Sequence, residues 1–121
     1  MTRSESIEMY LETIYILEAS HGHAHIADIA KNLGVTKPSV SKTMDQLKQQ
    51  DLINQEVYGP VTLTEKGKIV SKQIYRKHCL ITQFLEKSLT LSPDEADENA
   101  CRMEHSITDA MMKAIESYLE K

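Results

Sequence analysis

The sequence has no Trp, one Phe, four Gly, three Pro and two Cys among its 121 residues. Without large aromatics the core must be aliphatic, with Met and Tyr filling in. Two Cys, Cys79 and Cys101, do not make a disulfide framework, so a reduced, cytoplasmic setting is the expectation. Glycine is too sparse for nucleotide-binding loops, and H-E-x-x-H and G-x-S-x-G are both missing. Neither an enzyme nor an organic small-molecule substrate is therefore expected. No apolar run approaches the roughly 20 residues of a membrane span. The N-terminus leads into an acidic amphipathic stretch, not the apolar core of a signal peptide. What is present is ordinary for a globular chain: 40% hydrophobic and 26% charged residues.

The net charge of −4 speaks against nucleic acid only as an average. Residues 1–77 hold ten basic and nine acidic side chains, a net of +1, and residues 78–121 hold four and nine, a net of −5. Residues 31–48 carry four Lys against one Asp, and residues 66–77 carry five basic residues and no acid. A basic middle is thus flanked by acidic ends.

Periodicity makes the chain mainly α. Over residues 6–19, Ile7, Tyr10, Leu11, Ile14, Tyr15 and Leu17 trace one helical stripe, which Glu18 interrupts. His21-Gly22-His23-Ala24-His25 follows. Alternating imidazoles have the composition of a metal tract, but a solvated loop is the expectation. Residues 26–33 form a short helix with Ile26, Ile29, Ala30 and Leu33 inward and Gly34 at its C-cap. A second helix starts at Thr36 or Lys37, takes Pro38 in its first turn and buries Val40, Met44 and Leu47.

A helix, a glycine turn and a second helix make a helix-turn-helix, here A-D-I-A-K-N-L-G-V-T-K-P-S-V-S-K over residues 27–42. The second helix turns Ser39, Ser41, Lys42, Thr43, Gln46 and Lys48 away from its apolar stripe. Hydroxyls and amides suit base edges and phosphates, and Lys neutralises phosphates. A core hairpin with a polar outer face is the alternative. A strand over residues 52–57, a turn at 58–60 and a return strand at 61–63 complete a winged helix. A long helix spans residues 64–89. Ser92-Pro93-Asp94-Glu95 caps another, and Ser106-Ile107-Thr108-Asp109 reads as a capping box opening the last.

Cys101, Glu104 and His105 stand at i, i+3 and i+4, on one helical face. Thiolate, carboxylate and imidazole together can bind a first-row transition metal. The alternative is a buried Cys, a solvated Glu and a capping His. His78 on the long basic helix is a further candidate.

These segments, with Glu8-Met9-Tyr10-Leu11-Glu12-Thr13-Ile14-Tyr15, Leu63-Thr64-Glu65-Lys66-Gly67 and Arg76-Lys77-His78, occur in the order and spacing of a known family. The chain resembles the diphtheria toxin repressor family of metal-dependent transcriptional repressors, which includes the manganese transport regulators. The resemblance implies a winged-helix DNA-binding domain over residues 1–72 and a helical dimerisation and metal-binding domain over residues 73–121. It implies a metal site of Met9, Cys101, Glu104 and His105, the set of the iron-responsive branch. The manganese branch has carboxylates at the Met and Cys positions, and uses the Glu12 position as a ligand. A second site would draw on His78 with Glu12 or Asp97, and Glu104. Asp97 and Thr82 stand where the iron branch has a His and a Glu. The SH3-like domain of that branch is not expected in a chain ending at Lys121.

The function this implies is a cytoplasmic, homodimeric repressor of metal-ion homeostasis that binds a double-stranded DNA operator when loaded with Fe2+ or, next, Mn2+. Zn2+, Co2+ or Ni2+ would bind in vitro. Thr36, Lys37, Pro38, Ser39, Ser41, Lys42, Thr43 and Lys48 would form the DNA face, with Lys37, Lys42 and Lys48 on phosphates. A metal-independent winged-helix regulator is the competing reading. No membrane partner is expected.

Overall fold

The chain runs α1 (Glu5–His21), α2 (Ile26–Leu33), α3 (Lys37–Gln49), β1 (Ile53–Gln55), β2 (Val61–Leu63), α4 (Glu65–Leu89), α5 (Pro93–Met103) and α6 (Asp109–Leu119). This computed structural model describes residues 5–55 and 59–121. Two compact units divide the chain, one ending at Lys72 and the other spanning Gln73–Lys121. Among the described residues no helix is long and apolar enough to cross a membrane.

In the first unit α1 packs on α2 and β2, α2 on α3, and α3 on β1. Each helix buries one apolar stripe: Tyr10, Leu11 and Ile14, then Ile29 and Ala30, then Val40, Met44 and Leu47. Each fully buried aliphatic side chain contributes about 1.5–3 kcal/mol. The turn between α2 and α3 is local chemistry. Gly34 takes φ 67° and its N–H reaches the Ala30 carbonyl. Thr36 caps α3 by accepting from the Ser39 N–H at 3.3 Å, with Pro38 in the first turn.

Beyond α3 the chain turns through Asp51 at φ 60°. The Thr64 hydroxyl donates to the Asp51 carbonyl at 2.7 Å, and Lys66 Nζ donates to the Gln50 carbonyl at 3.1 Å. Gly67 is required here, because a Cβ would collide with the Leu52 carbonyl. In this unit α4 turns a small polar residue inward. Ile69 is exposed, whereas the buried Ser71 donates its hydroxyl to the Leu11 carbonyl at 3.4 Å. A small hydroxyl permits that close approach to the α1 backbone.

The wing pairs Ile53 with Leu63, Asn54 with Thr62 and Gln55 with Val61, antiparallel. The strand expected over residues 52–57 is thus described over Ile53–Gln55, and Glu56, Val57 and Tyr58 of the expected strand and turn lie outside the described residues. Ala24 adds a bridge on Val61, with N–H to carbonyl distances of 2.9 and 2.7 Å. Glu18 interrupts the α1 stripe because its carboxylate accepts the Leu63 N–H at 3.1 Å.

In the second unit the later turns of α4 join α5 and α6 around Ile81, Leu85, Ala96, Ala100, Met112 and Ile115. Small Ala96 and Ala100, four residues apart, form the buried stripe of α5. Thr90 ends α4 with φ 58°, and Ser92 caps α5 by accepting the Glu95 N–H at 3.3 Å. The last helix starts later than its Ser106 signal suggests. Thr108 is its cap, accepting the Met111 N–H at 3.1 Å. The N–H groups of Ser106 and Ile107 both bond back to the Met103 carbonyl, which holds those residues in the turn that closes α5.

Candidate metal centre and nucleic-acid interface

The buried stripe of α5 runs Ala96, Ala100, and a second step of four brings it to Glu104. That spacing drives a carboxylate inward, and Glu104 has no exposed surface. Removing a carboxylate from water costs several kcal/mol unless partners compensate it. Histidine stands on both sides of it, hydrogen-bonded on one and in close approach on the other. His78 of α4 places Nδ1 2.7 Å from Glu104 Oε2, and His105 places Nε2 3.0 Å from Glu104 Oε1. The other His78 nitrogen, Nε2, meets Asp97 Oδ1 at 2.7 Å. The four side chains form one linear array, Asp97–His78–Glu104–His105.

Burial grades along the array. The rings of His105 and His78 are 1% and 12% exposed, and Asp97 is 68% exposed. Tyr75 stacks on the His78 ring with centroids 6.3 Å apart. Ionised carboxylates only accept hydrogen bonds, so an imidazole serving two of them must hold a proton on each nitrogen. A divalent cation can take the place of such protons and still balance the carboxylates. Imidazole nitrogen and carboxylate oxygen are donors that first-row divalent metals accept, so these residues fit a metal ion.

Cys101 follows Ala100 on α5 and is exposed, and among the described residues no three-donor group includes it. α5 ends at Met103 with Glu104 as its cap, so residues 101–105 do not form one continuous helix face. Met9 and Glu12 stand one turn apart on α1 in the first unit, Met9 exposed and Glu12 buried. Thr82 directs its hydroxyl to the His78 carbonyl at 2.8 Å, within α4. Asp97 and Glu104 each meet His78, and their spacing of seven residues is a sequence signal for that shared partner.

On α3 the predicted recognition residues sit opposite the buried stripe. Thr36, Lys37, Pro38, Ser39, Ser41, Lys42 and Lys48 are exposed and Thr43 is half-buried. Their donors are unequally free. Thr36 donates to the Ser39 hydroxyl at 2.9 Å and Thr43 donates to the Ser39 carbonyl at 3.1 Å. Lys48 pairs with Asp45 at 3.6 Å. Lys37, Ser41 and Lys42 therefore offer the least encumbered groups of this face.

Known proteins match both units. The N-terminal DNA-binding domain model of iron-dependent repressors matches residues 3–61, and the metal-binding and dimerisation domain model of the same repressors matches residues 64–121. An uncharacterised HTH-type transcriptional regulator of Methanocaldococcus jannaschii is 34% identical over 119 residues, covering 98% of this chain and 95% of the relative. The HTH-type transcriptional regulator MntR of Lysinibacillus sphaericus is 39% identical over 80 residues, covering 66% of this chain and 58% of MntR. Among solved structures, a manganese-dependent transcriptional repressor in complex with manganese superposes with a TM-score of 0.86 at 28% identity. That match covers 94% of this chain and 52% of the solved chain, so the present sequence spans about half the length of that relative.

Proposed function

The chain belongs to the diphtheria toxin repressor family of iron- and manganese-dependent repressors, and from that premise we propose that it is a metal-activated transcriptional repressor of metal-ion homeostasis. One observation carries the reading: the array of Asp97, His78, Glu104 and His105, buried except at Asp97, an imidazole–carboxylate set suited to a divalent transition metal. Met9 and Glu12 of α1 are further ligand candidates of the proposed repressor. Cys101 would join the array in an iron-type site.

Metal identity turns on those last ligands. Sulfur from Met9 and Cys101 favours Fe2+, while oxygen from Glu12 with the buried array favours Mn2+. Zn2+, Co2+ and Ni2+ are in vitro substitutes. The metal acts by population shift, binding the DNA-competent arrangement more tightly than the alternatives. A homodimer would then set α3 of each subunit into successive major grooves of a pseudo-palindromic operator. Lys37, Lys42 and Lys48 would neutralise phosphates, and Ser39, Ser41 and Thr43 would approach base edges, with Thr36 and Pro38 placing the first turn.

The test is operator binding by the apo-protein and after addition of Fe2+ under anaerobic conditions, Mn2+ or Zn2+. Tight binding is expected only with metal, and an affinity indifferent to all three ions overturns the proposal. Cys101→Ala separates the branches. Loss of the Fe2+ response identifies the thiol as a ligand, and an unchanged response assigns the centre to nitrogen and oxygen donors.

A further inference from the structure

The His21–His25 segment is not simply a solvated loop. Ala24 exchanges both backbone hydrogen bonds with Val61 and is buried. Residues flanking a bridged strand position point to the opposite face. His23 and His25 therefore share the outer face, and their Nε2 atoms meet at 3.0 Å with the rings edge-on.

His25 also occupies the N-cap of α2, a position where Ser, Thr, Asp or Asn would bond the helix N–H groups. Its side chain makes no cap bond and turns to His23 instead. A capping opportunity is given up while two imidazole nitrogens converge.

We propose that His23 and His25 form a two-imidazole chelate for a divalent transition-metal ion such as Zn2+, Ni2+ or Cu2+, at the entrance to the helix-turn-helix and separate from the Glu104 centre. Metal–imidazole bonds of about 2.0–2.1 Å in tetrahedral geometry hold ligand nitrogens about 3.3–3.4 Å apart. The observed 3.0 Å needs only a small opening of the pair. Imidazole is a ligand these ions share. The Ala24–Val61 bridge fixes the intervening backbone, so little ordering is required on binding. Asp28 in the first turn of α2 offsets the repulsion between a cation and the helix N-terminus. His21 ends α1 ahead of Gly22 at φ 82° and is not gathered with the pair, so water completes the coordination.

The site is read out in the full chain by amide NMR during Ni2+ titration and by Zn2+ calorimetry. Paramagnetic broadening is expected at residues 23–25 and 61. One Zn2+ equivalent should disappear in His23→Ala and again in His25→Ala. It should persist in Glu104→Gln, whose buried centre is disabled. His23→Ala should keep the metal response of operator binding, so failure here and failure of the repressor reading are distinguishable. Both His variants binding as many Zn2+ equivalents as the parent, with residues 23–25 and 61 staying sharp in Ni2+, would overturn the proposal.

Discussion

Glu104 shows how one side chain's position dictates what must surround it. Its place on the Ala96–Ala100 stripe buries it, and burial obliges partners. His78 and His105 answer from two different segments. Asp97 then orients His78 from the solvent side, as a carboxylate behind a metal-binding imidazole does. Asp97→Asn should lower metal affinity about 10- to 100-fold, measured by calorimetry, while circular dichroism stays that of the parent. An unchanged affinity would remove Asp97 from the centre. Gly67 makes a simpler point. Gly67→Ala forces a methyl into the Leu52 carbonyl, and overpacking of that kind costs about 1–3 kcal/mol. Chemical denaturation should show the midpoint falling with an unchanged slope.

α3 carries two separable loads. Its inner face of Val40, Met44 and Leu47 holds the unit together, and its outer face offers lysines and hydroxyls. Thr36 belongs to the first load through its cap bond and to the second through its exposure. Thr36→Ala should destabilise by about 0.5–2 kcal/mol in thermal unfolding, before any effect on DNA is considered. Lys37→Ala and Lys42→Ala should instead leave stability alone. Each should weaken binding to every DNA sequence alike and reduce the salt dependence of log K by about one unit, the signature of a lost phosphate contact. A change in sequence preference without a change in salt slope would place these lysines on bases.

For the whole chain, charge and metal act together. The net of +1 over residues 1–77 and −5 over residues 78–121 leaves basic side chains in slight excess in the part that carries the recognition helix and acids in excess in the part that carries His78, Glu104 and His105. An ion bound only by the folded protein stabilises it by about 2.7 kcal/mol when free metal is 100 times Kd. The unfolding temperature should therefore climb with Mn2+ or Fe2+ concentration and return to the apo value on chelation. That climb should be lost in Glu104→Gln. A melting temperature insensitive to metal in the parent would contradict a site formed by folding.

Local instructions were readable without coordinates. Gly34, Thr36, Pro38, Ser92 and the spacing of the apolar residues act within a few residues of themselves, so their helices fall where periodicity and capping put them. Near-equivalent local signals were not resolved, as at Ser106 and Thr108, where hydrogen bonds to Met103 settled the boundary. The sequence likewise offers His78, Asp97, Glu104 and His105 as candidate ligands, whereas the contacts that join them are set by packing. His78 meets Glu104 across 26 residues and Asp97 across 19, and Glu18 meets Leu63 across 45. The pairing of His23 with His25 depends on a bridge from Ala24 to a strand far along the chain. Contacts at such separations depend on how apolar faces pack, and packing also left Cys101 in solvent while drawing Glu104 in.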